Sequence, residues 1–261
     1  MTDIRWRLPT PAPNWALFLD VDGTLLEIAA VPSGVSVPDG LPETLFLLAN
    51  LLDNAVALVS GRTLGDLDRL FAPLRLTQAG QHGAEIRWPD GRIEDFGSGD
   101  HGLRALLTPI RRFARERPGL LVEDKGRTVA VHCRQAPEYQ DEIAGFLAGL
   151  VARHEAWLDV ISGRLVAELK PRGVSKRTAV ERLMRSAPFS GRLPVFIGDD
   201  TTDEDGFAAA RDLGGHGIRI GLTGGSVADY RLPDPRAARR FLSDIIRRLE
   251  QTPKRKNHAD T

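Results

Sequence analysis

Apolar residues fall into two rhythms along this chain. In the first and last thirds, short continuous apolar runs stop abruptly at Gly, Ser or Asp and alternate with amphipathic stretches. Residues 15–19 (WALFL) run into Asp20, residues 55–59 into Ser60-Gly61-Arg62, residues 195–197 into Gly198-Asp199-Asp200, and residues 217–220 into Gly221. An unbroken apolar run reads as a strand buried on both faces, the mark of a parallel sheet. Between the runs, residues 41–52, 63–71 and 175–185 repeat their apolar positions at helical spacing. The alternation predicts βαβ units. Each polar cluster then falls at the carboxyl end of a strand, where open α/β sheets place their ligands.

From about residue 82 to 169 the period changes to two. Residues 120–124 and 128–133 flank Lys125-Gly126-Arg127, and residues 157–161 and 165–169 flank Ser162-Gly163-Arg164. Helices are predicted near 102–116 and over 138–154, the second with Ile143, Phe146, Leu147, Leu150 and Val151 on one face. The chain therefore reads as α/β: a parallel-sheet core from residues 1–82 and 170–250, an inserted α+β domain over 83–169, and a disordered tail over 251–261.

Charge adds little attraction of its own, since 35 Lys plus Arg balance 35 Asp plus Glu. No overall field draws the chain to nucleic acid or to an anionic membrane. The three basic residues Lys254, Arg255 and Lys256 read as a solvated end. A single cysteine, Cys133, forms no internal disulfide and reads as a core thiol. No apolar stretch is long enough to span a bilayer, and residues 1–14 are polar and proline-containing with no signal-peptide core, so a cytoplasmic protein is expected.

Asp20 and Asp22 change the picture. Two carboxylates at i and i+2, closing a buried strand and followed by Gly23-Thr24, repel one another unless a cation or a reaction uses them. Hard oxygen donors favour Mg²⁺. A second acidic cluster, residues 198–205 (GDDTTDED), also follows an apolar run. Helix capping accounts for Asp203, Glu204 and Asp205 but not for Asp199 and Asp200. Ser60 precedes a glycine that lets backbone amides approach an anion, although Ser-Gly turns are common. Lys176 follows the capping residue Ser175 and runs against the helix-dipole preference; a solvated lysine is the other reading.

Taken in order, D-x-D-G-T, Ser60, Lys176 and G-D-D-x-T-D resemble the four motifs of the haloacid dehalogenase superfamily. The resemblance implies a Rossmann-like core, Mg²⁺ and an aspartyl-phosphate intermediate. It makes Asp20 the nucleophile and a metal ligand, and Asp22 the general acid and then base. Asp22 would also meet the metal through its backbone carbonyl, with Asp199 a further ligand and Ser60 and Lys176 binding the phosphoryl group.

The inserted domain must choose the substrate. Period two puts Glu123 and Lys125 on one strand face, Glu168 and Lys170 on another, with Arg134 at a strand end. Such a face suits either a polyhydroxylated sugar or plain solvent. The segments FLDVDGTLLEI, AVALVSGRTLGDL, AGQHGAEIR, VEDKGRTVAVHCRQAP, AELKPRGVSKRTAVERL and PVFIGDDTTDEDGFAA are similar to the trehalose-6-phosphate phosphatase family over residues 15–249. That likeness implies hydrolysis of trehalose 6-phosphate, sugar contacts from Glu123, Lys125, Arg134 and Glu168, and functional coupling to a trehalose-phosphate synthase. One departure is Lys176-Arg177, where the family commonly has Lys-Gly. His82 matches the family's His-Gly and is assigned a hinge or site edge; Arg62 and Arg172 stay unassigned. The alternatives are a phosphatase for another sugar phosphate such as a sucrose or mannosyl phosphate, a phospho-acceptor signalling module, and a silent partner of the synthase.

Overall fold

The computed structural model describes residues 8–28, 34–96, 100–163 and 165–251. Gln251, the first residue of the expected tail, ends a helix; the rest of the tail, with its basic residues, lies outside the described residues. Strands β1 (Trp15–Leu19), β2 (Val56–Val59), β3 (Thr77–Gly80), β4 (Glu85–Arg87) and β5 (Ile93–Asp95) precede the insertion. Strands β6 (Leu121–Asp124), β7 (Val129–His132), β8 (Leu158–Gly163) and β9 (Val166–Pro171) form it, and β10 (Leu193–Gly198), β11 (His216–Ile220) and β12 (Tyr230–Leu232) follow. The helices are α1 (Leu41–Leu51), α2 (Leu64–Phe71), α3 (Asp100–Arg115), α4 (Gln140–Arg153), α5 (Lys176–Leu183), α6 (Asp203–Asp212) and α7 (Pro235–Gln251).

The large sheet has the order β12-β11-β10-β1-β2-β3-β4-β5. All its pairings are parallel except those made by β4 and β5. β1 lies between β2 and β10, so both its edges are paired and all five of its residues are buried. Strand periodicity sends Trp15, Leu17 and Leu19 to one face, where they meet Leu45 and Leu48 of α1 and Phe241, Leu242 and Ile245 of α7. Ala16 and Phe18 go to the other face, against Val180 of α5, Phe207 of α6 and Phe189. Each fully buried Leu or Phe contributes about 1.5–3 kcal/mol. Asp20 is the next even position, and its side chain meets the α5 and α6 termini.

The insertion is a four-stranded antiparallel sheet of order β6-β7-β9-β8. One face packs Val129, Val131, Cys133 and Leu169 against α3 and α4, whose Phe113 and Phe146 rings stack at 4.1 Å. Cys133 is the expected core thiol, and burial pushes it up from its ordinary pKa.

The expected boundary at residue 82 falls too early. β4 and β5 continue the large sheet beyond β3, so the chain leaves the core after residue 95. These strands are three residues each and carry Glu85, Arg87, Glu94 and Asp95, so no apolar run marks them. At the other crossing, β9 runs through Lys170 to Pro171, and Lys170 pairs with Asp159 within the cap sheet.

Candidate active site

Four polar side chains converge beyond the carboxyl ends of β1 and β10. Asp20 is 4% exposed, Lys176 3% and Asp203 0%. Lys176 Nζ donates to Asp20 Oδ1 at 2.7 Å and to Asp203 Oδ1 at 2.6 Å. Asp203 Oδ2 accepts the backbone N–H groups of Asp199 and Asp200 at 3.0 and 2.9 Å. Asp199 Oδ1 accepts from Thr24 Oγ1 at 3.3 Å. One carboxylate oxygen from each of Asp20, Asp199 and Asp203 lies within 4.8 Å of the others.

Local sequence explains the convergence. Ser175 caps α5 in a reciprocal capping box with Thr178, which fixes Lys176 as the first helical residue. The positive end of α5 is a costly place for an ammonium, and two carboxylates offset that cost. Gly23 turns the chain at φ +83, and a Cβ there would stand 2.1 Å from Asp199 Oδ2. Only glycine meets both demands.

Three carboxylates share one lysine, and the electrostatics follow. Burial first, and the charge of Asp203 second, push Asp20 well above the ordinary carboxylate range, with Lys176 pulling the other way. The same two causes push Asp199 up to about 7. Burial works against the Lys176 charge, but Asp20 and Asp203 outweigh it and hold the ammonium above its usual value. A crowded set of hard oxygen donors, two buried and one half-buried, fits a divalent cation of the Mg²⁺ type.

Asp203 is one residue that sequence reasoning missed, because an acidic first turn is also what the helix dipole favours. The helix begins at Asp203 as expected, yet its side chain turns inward rather than toward solvent. Asp22 is part-exposed and forms a forked ion pair with Arg62, through Nε at 2.6 Å and Nη2 at 2.7 Å. Ser60 is buried at the end of β2, and its Oγ accepts the Arg62 N–H at 3.2 Å.

The polar face of the cap sheet looks onto this site. Register aligns Glu123 with Ala130 and Ala130 with Glu168, so the two glutamates share one row. Lys125 Nζ donates to Glu168 Oε2 and across to the Gly61 carbonyl, both at 3.0 Å. Glu123 accepts from His132 Nε2 at 2.8 Å; that bond, helped by the Lys125 charge and against burial, lowers its pKa. Burial would raise Glu168, yet the charge of Lys125, then His82, holds it well below the carboxylate range. Arg134 stands exposed in the turn just past β7.

His82 is buried, with Nε2 3.6 Å from Glu168 Oε2, and its ring lies over Gly61, where a Cβ would approach to 2.7 Å. Gln81, His82 and Gly83 all have positive φ. The Gln81 Oε1 atom accepts from the Arg127 N–H and Thr128 Oγ1 of the cap hairpin at 3.0 and 3.3 Å. Sequence reasoning overlooked Gln81. A cleft of about 340 Å³ opens between cap and core, lined by His82, Asp159, Ile161, Lys170, Lys176 and Thr201.

A parallel-sheet core with a carboxylate pair after its central strand, a lysine and acidic loop from the far end of the chain, and an α+β cap above them defines a phosphatase of the haloacid dehalogenase class. Solved structures share the fold. The C-terminal domain of Candida albicans trehalose-6-phosphate phosphatase superposes with a TM-score of 0.79 at 21% identity, covering 90% of this chain and 92% of that one. A trehalose-6-phosphate phosphatase related protein gives 0.74 at 24%, covering 90% and 98%. The trehalose-phosphatase family model matches residues 18–235, and the chain belongs to that family. Trehalose-6-phosphate phosphatase of Escherichia coli (strain K12) is 40% identical over 258 residues, covering 99% of this chain and 96% of that one. A probable trehalose-phosphate phosphatase of Sinorhizobium fredii (strain NBRC 101917 / NGR234) is 41% identical over 219 residues, covering 84% and 82%.

Proposed function

We propose that this protein hydrolyses trehalose 6-phosphate to trehalose and phosphate with Mg²⁺. The observation that carries the reading is the meeting of buried Asp20, Lys176 and Asp203 with half-buried Asp199 beneath a cap face bearing Glu123, Lys125 and Glu168, in a chain of the trehalose-phosphatase family.

Asp20 attacks phosphorus while the phosphorus–oxygen bond to the sugar breaks. The departing oxygen takes its proton from Asp22. A water molecule then attacks the aspartyl phosphate, gives a proton to Asp22, and returns Asp20 with release of phosphate. Lys176 and Ser60 hold the phosphoryl oxygens, and each such donor is worth roughly 10²–10³ in rate. Side chains of Asp20 and Asp199 and the carbonyl of Asp22 hold the cation, with Asp203 fixing the loop that presents Asp199 and the ammonium that faces Asp20. Bound there, the cation neutralises phosphoryl charge.

Glu123, Lys125, Arg134 and Glu168 are assigned to the sugar hydroxyls. Cap closure about the crossings that follow β5 and β9, after residues 95 and 171, excludes bulk water. The small-molecule substrate comes from a trehalose-phosphate synthase, and the setting is cytoplasmic. No described helix is long and apolar enough to cross a membrane. The test is phosphate release from trehalose 6-phosphate beside sucrose and mannosyl phosphates, with and without Mg²⁺, for the native chain and Asp20→Asn. A clear preference for another sugar, or activity retained by Asp20→Asn, overturns the assignment.

A further inference from the structure

Asp22 is gripped in this fold, and the grip comes from a residue with no assigned role. Arg62 donates from Nε to Asp22 Oδ2 at 2.6 Å and from Nη2 to Oδ1 at 2.7 Å. A two-point contact between planar groups fixes the plane of the carboxyl as well as its place. Each oxygen keeps a further lone pair, so the fork orients Asp22 without using up its capacity to exchange a proton.

Arg62 is itself well anchored. It lies in the Ser60-Gly61-Arg62 turn after β2, where its N–H donates to Ser60 Oγ at 3.2 Å and its carbonyl accepts the Gln81 N–H at 2.8 Å. Its side chain is 13% exposed and crosses to the end of β1.

We infer that Arg62 is a positioning residue that holds Asp22 where it passes a proton to the leaving sugar oxygen and then receives one from the attacking water. The inference rests on the reading above, with Asp20 as nucleophile. In the first step the Asp20 oxygen–phosphorus bond forms and the phosphorus–sugar oxygen bond breaks, its electron pair staying on the sugar oxygen, which takes the proton of Asp22. In the second, water oxygen bonds phosphorus, the bond to Asp20 breaks, and the water proton returns to Asp22.

Leaving-group dependence separates this role from a structural one. Nitrophenolate leaves without a proton, so a misplaced Asp22 slows its release far less than that of a sugar. The experiment is rapid mixing of the full chain at saturating Mg²⁺, with Arg62→Met and Arg62→Lys, on trehalose 6-phosphate and on p-nitrophenyl phosphate. For Arg62→Met, kcat on the sugar phosphate falls at least about tenfold and by no more than the roughly 10⁴ that proton transfer can supply, while KM stays within about threefold. With p-nitrophenyl phosphate the same variant releases a burst approaching one nitrophenolate per enzyme at the native rate, followed by a slow phase. Lysine, a point charge with no fork, recovers less than about a third of the native kcat.

A raised KM with native kcat, equal slowing of both substrates without a burst, or a fully active Arg62→Lys each overturns the inference. Thermal melts establish that the variants are folded; should Arg62→Met fail to fold, Arg62→Lys is read by the same criteria. A burst that survives Asp20→Asn overturns the nucleophile assignment itself, a result distinct from any of the Arg62 outcomes.

Discussion

Lys176 ties Asp20 to Asp203 across 27 residues on one side and 156 on the other, with Nζ 2.7 Å from the first and 2.6 Å from the second. All three side chains are buried. Removing one partner of such a network leaves the others uncompensated, at a cost of about 3–5 kcal/mol. Lys176→Met is therefore expected to lower unfolding free energy by that order in the absence of Mg²⁺, and to reduce kcat by at least about a hundredfold. Urea unfolding and phosphate release check the two effects; native stability in the metal-free variant contradicts the first.

The raised Asp199 gives Mg²⁺ binding a pH signature. An ordinary aspartate loses its proton near pH 3.8, and this one keeps it up to about 7. The folded metal-free protein thus binds a proton that the unfolded chain has lost, a contribution complete below the unfolded pKa and gone once pH rises through about 7. A cation competes with that proton. The rise in Tm on adding saturating Mg²⁺ is expected to be larger at pH 8 than at pH 5.5, as scanning calorimetry would record. An equal or larger rise at pH 5.5 contradicts it.

Gly23 and Gly40 make a matched pair. Both are left-handed, at φ +83 and +77, but a Cβ on Gly23 meets Asp199 Oδ2 at 2.1 Å while one on Gly40 meets nothing within 4 Å. Each Ala substitution carries the backbone cost of roughly 1–2 kcal/mol. Only Gly23→Ala displaces a proposed metal ligand, and it is expected to raise the Mg²⁺ concentration for half-maximal activity at least about tenfold. Activity titrated with Mg²⁺ for the two variants decides the matter; parallel titrations refute the cradle.

Much of this architecture was readable because buried parallel strands leave unbroken apolar runs. WALFL announced both β1 and the anomaly of Asp20 behind it. The Thr77–Gly80 strand announced nothing: it is fully buried yet reads TQAG, since its place is set by β2 on one side and β4 on the other. Period two grouped Glu123 with Lys125 and Glu168 with Lys170, each pair on its own strand, but only the register through Ala130 sets the two glutamates in one row, and no local pattern tells that Arg62 reaches back 40 residues to Asp22. Asp203 was hidden for a different reason. Its sequence position satisfies a helix start, and only the fold shows that its carboxylate holds the Asp199 and Asp200 amides.

The cap glutamates yield a prediction about selectivity. Glu168 is held between Lys125 and His82, and Glu123 lies in the same row. A hydrogen bond to a charged group contributes about 1.5–3 kcal/mol, so Glu123→Gln and Glu168→Gln are each expected to lower kcat/KM for trehalose 6-phosphate by roughly 10- to 100-fold. For p-nitrophenyl phosphate the change is expected to stay within about threefold, because the core alone sees that substrate. Steady-state kinetics on both esters is the measurement, and equal losses would remove the cap residues from sugar recognition.

Strand order has a consequence for how the chain is made. β1 sits between β2 and β10, yet β10 begins only at Leu193. A nascent chain emerging from the ribosome has all four cap strands by residue 171, with their two helices already made, so the cap can fold as a unit while β1 still shows an unpaired apolar edge. Strand β1, with the proposed nucleophile Asp20 just behind it, comes among the first to be translated and among the last to be closed, and no truncated product ending before residue 193 can bring Asp20, Asp199 and Asp203 together.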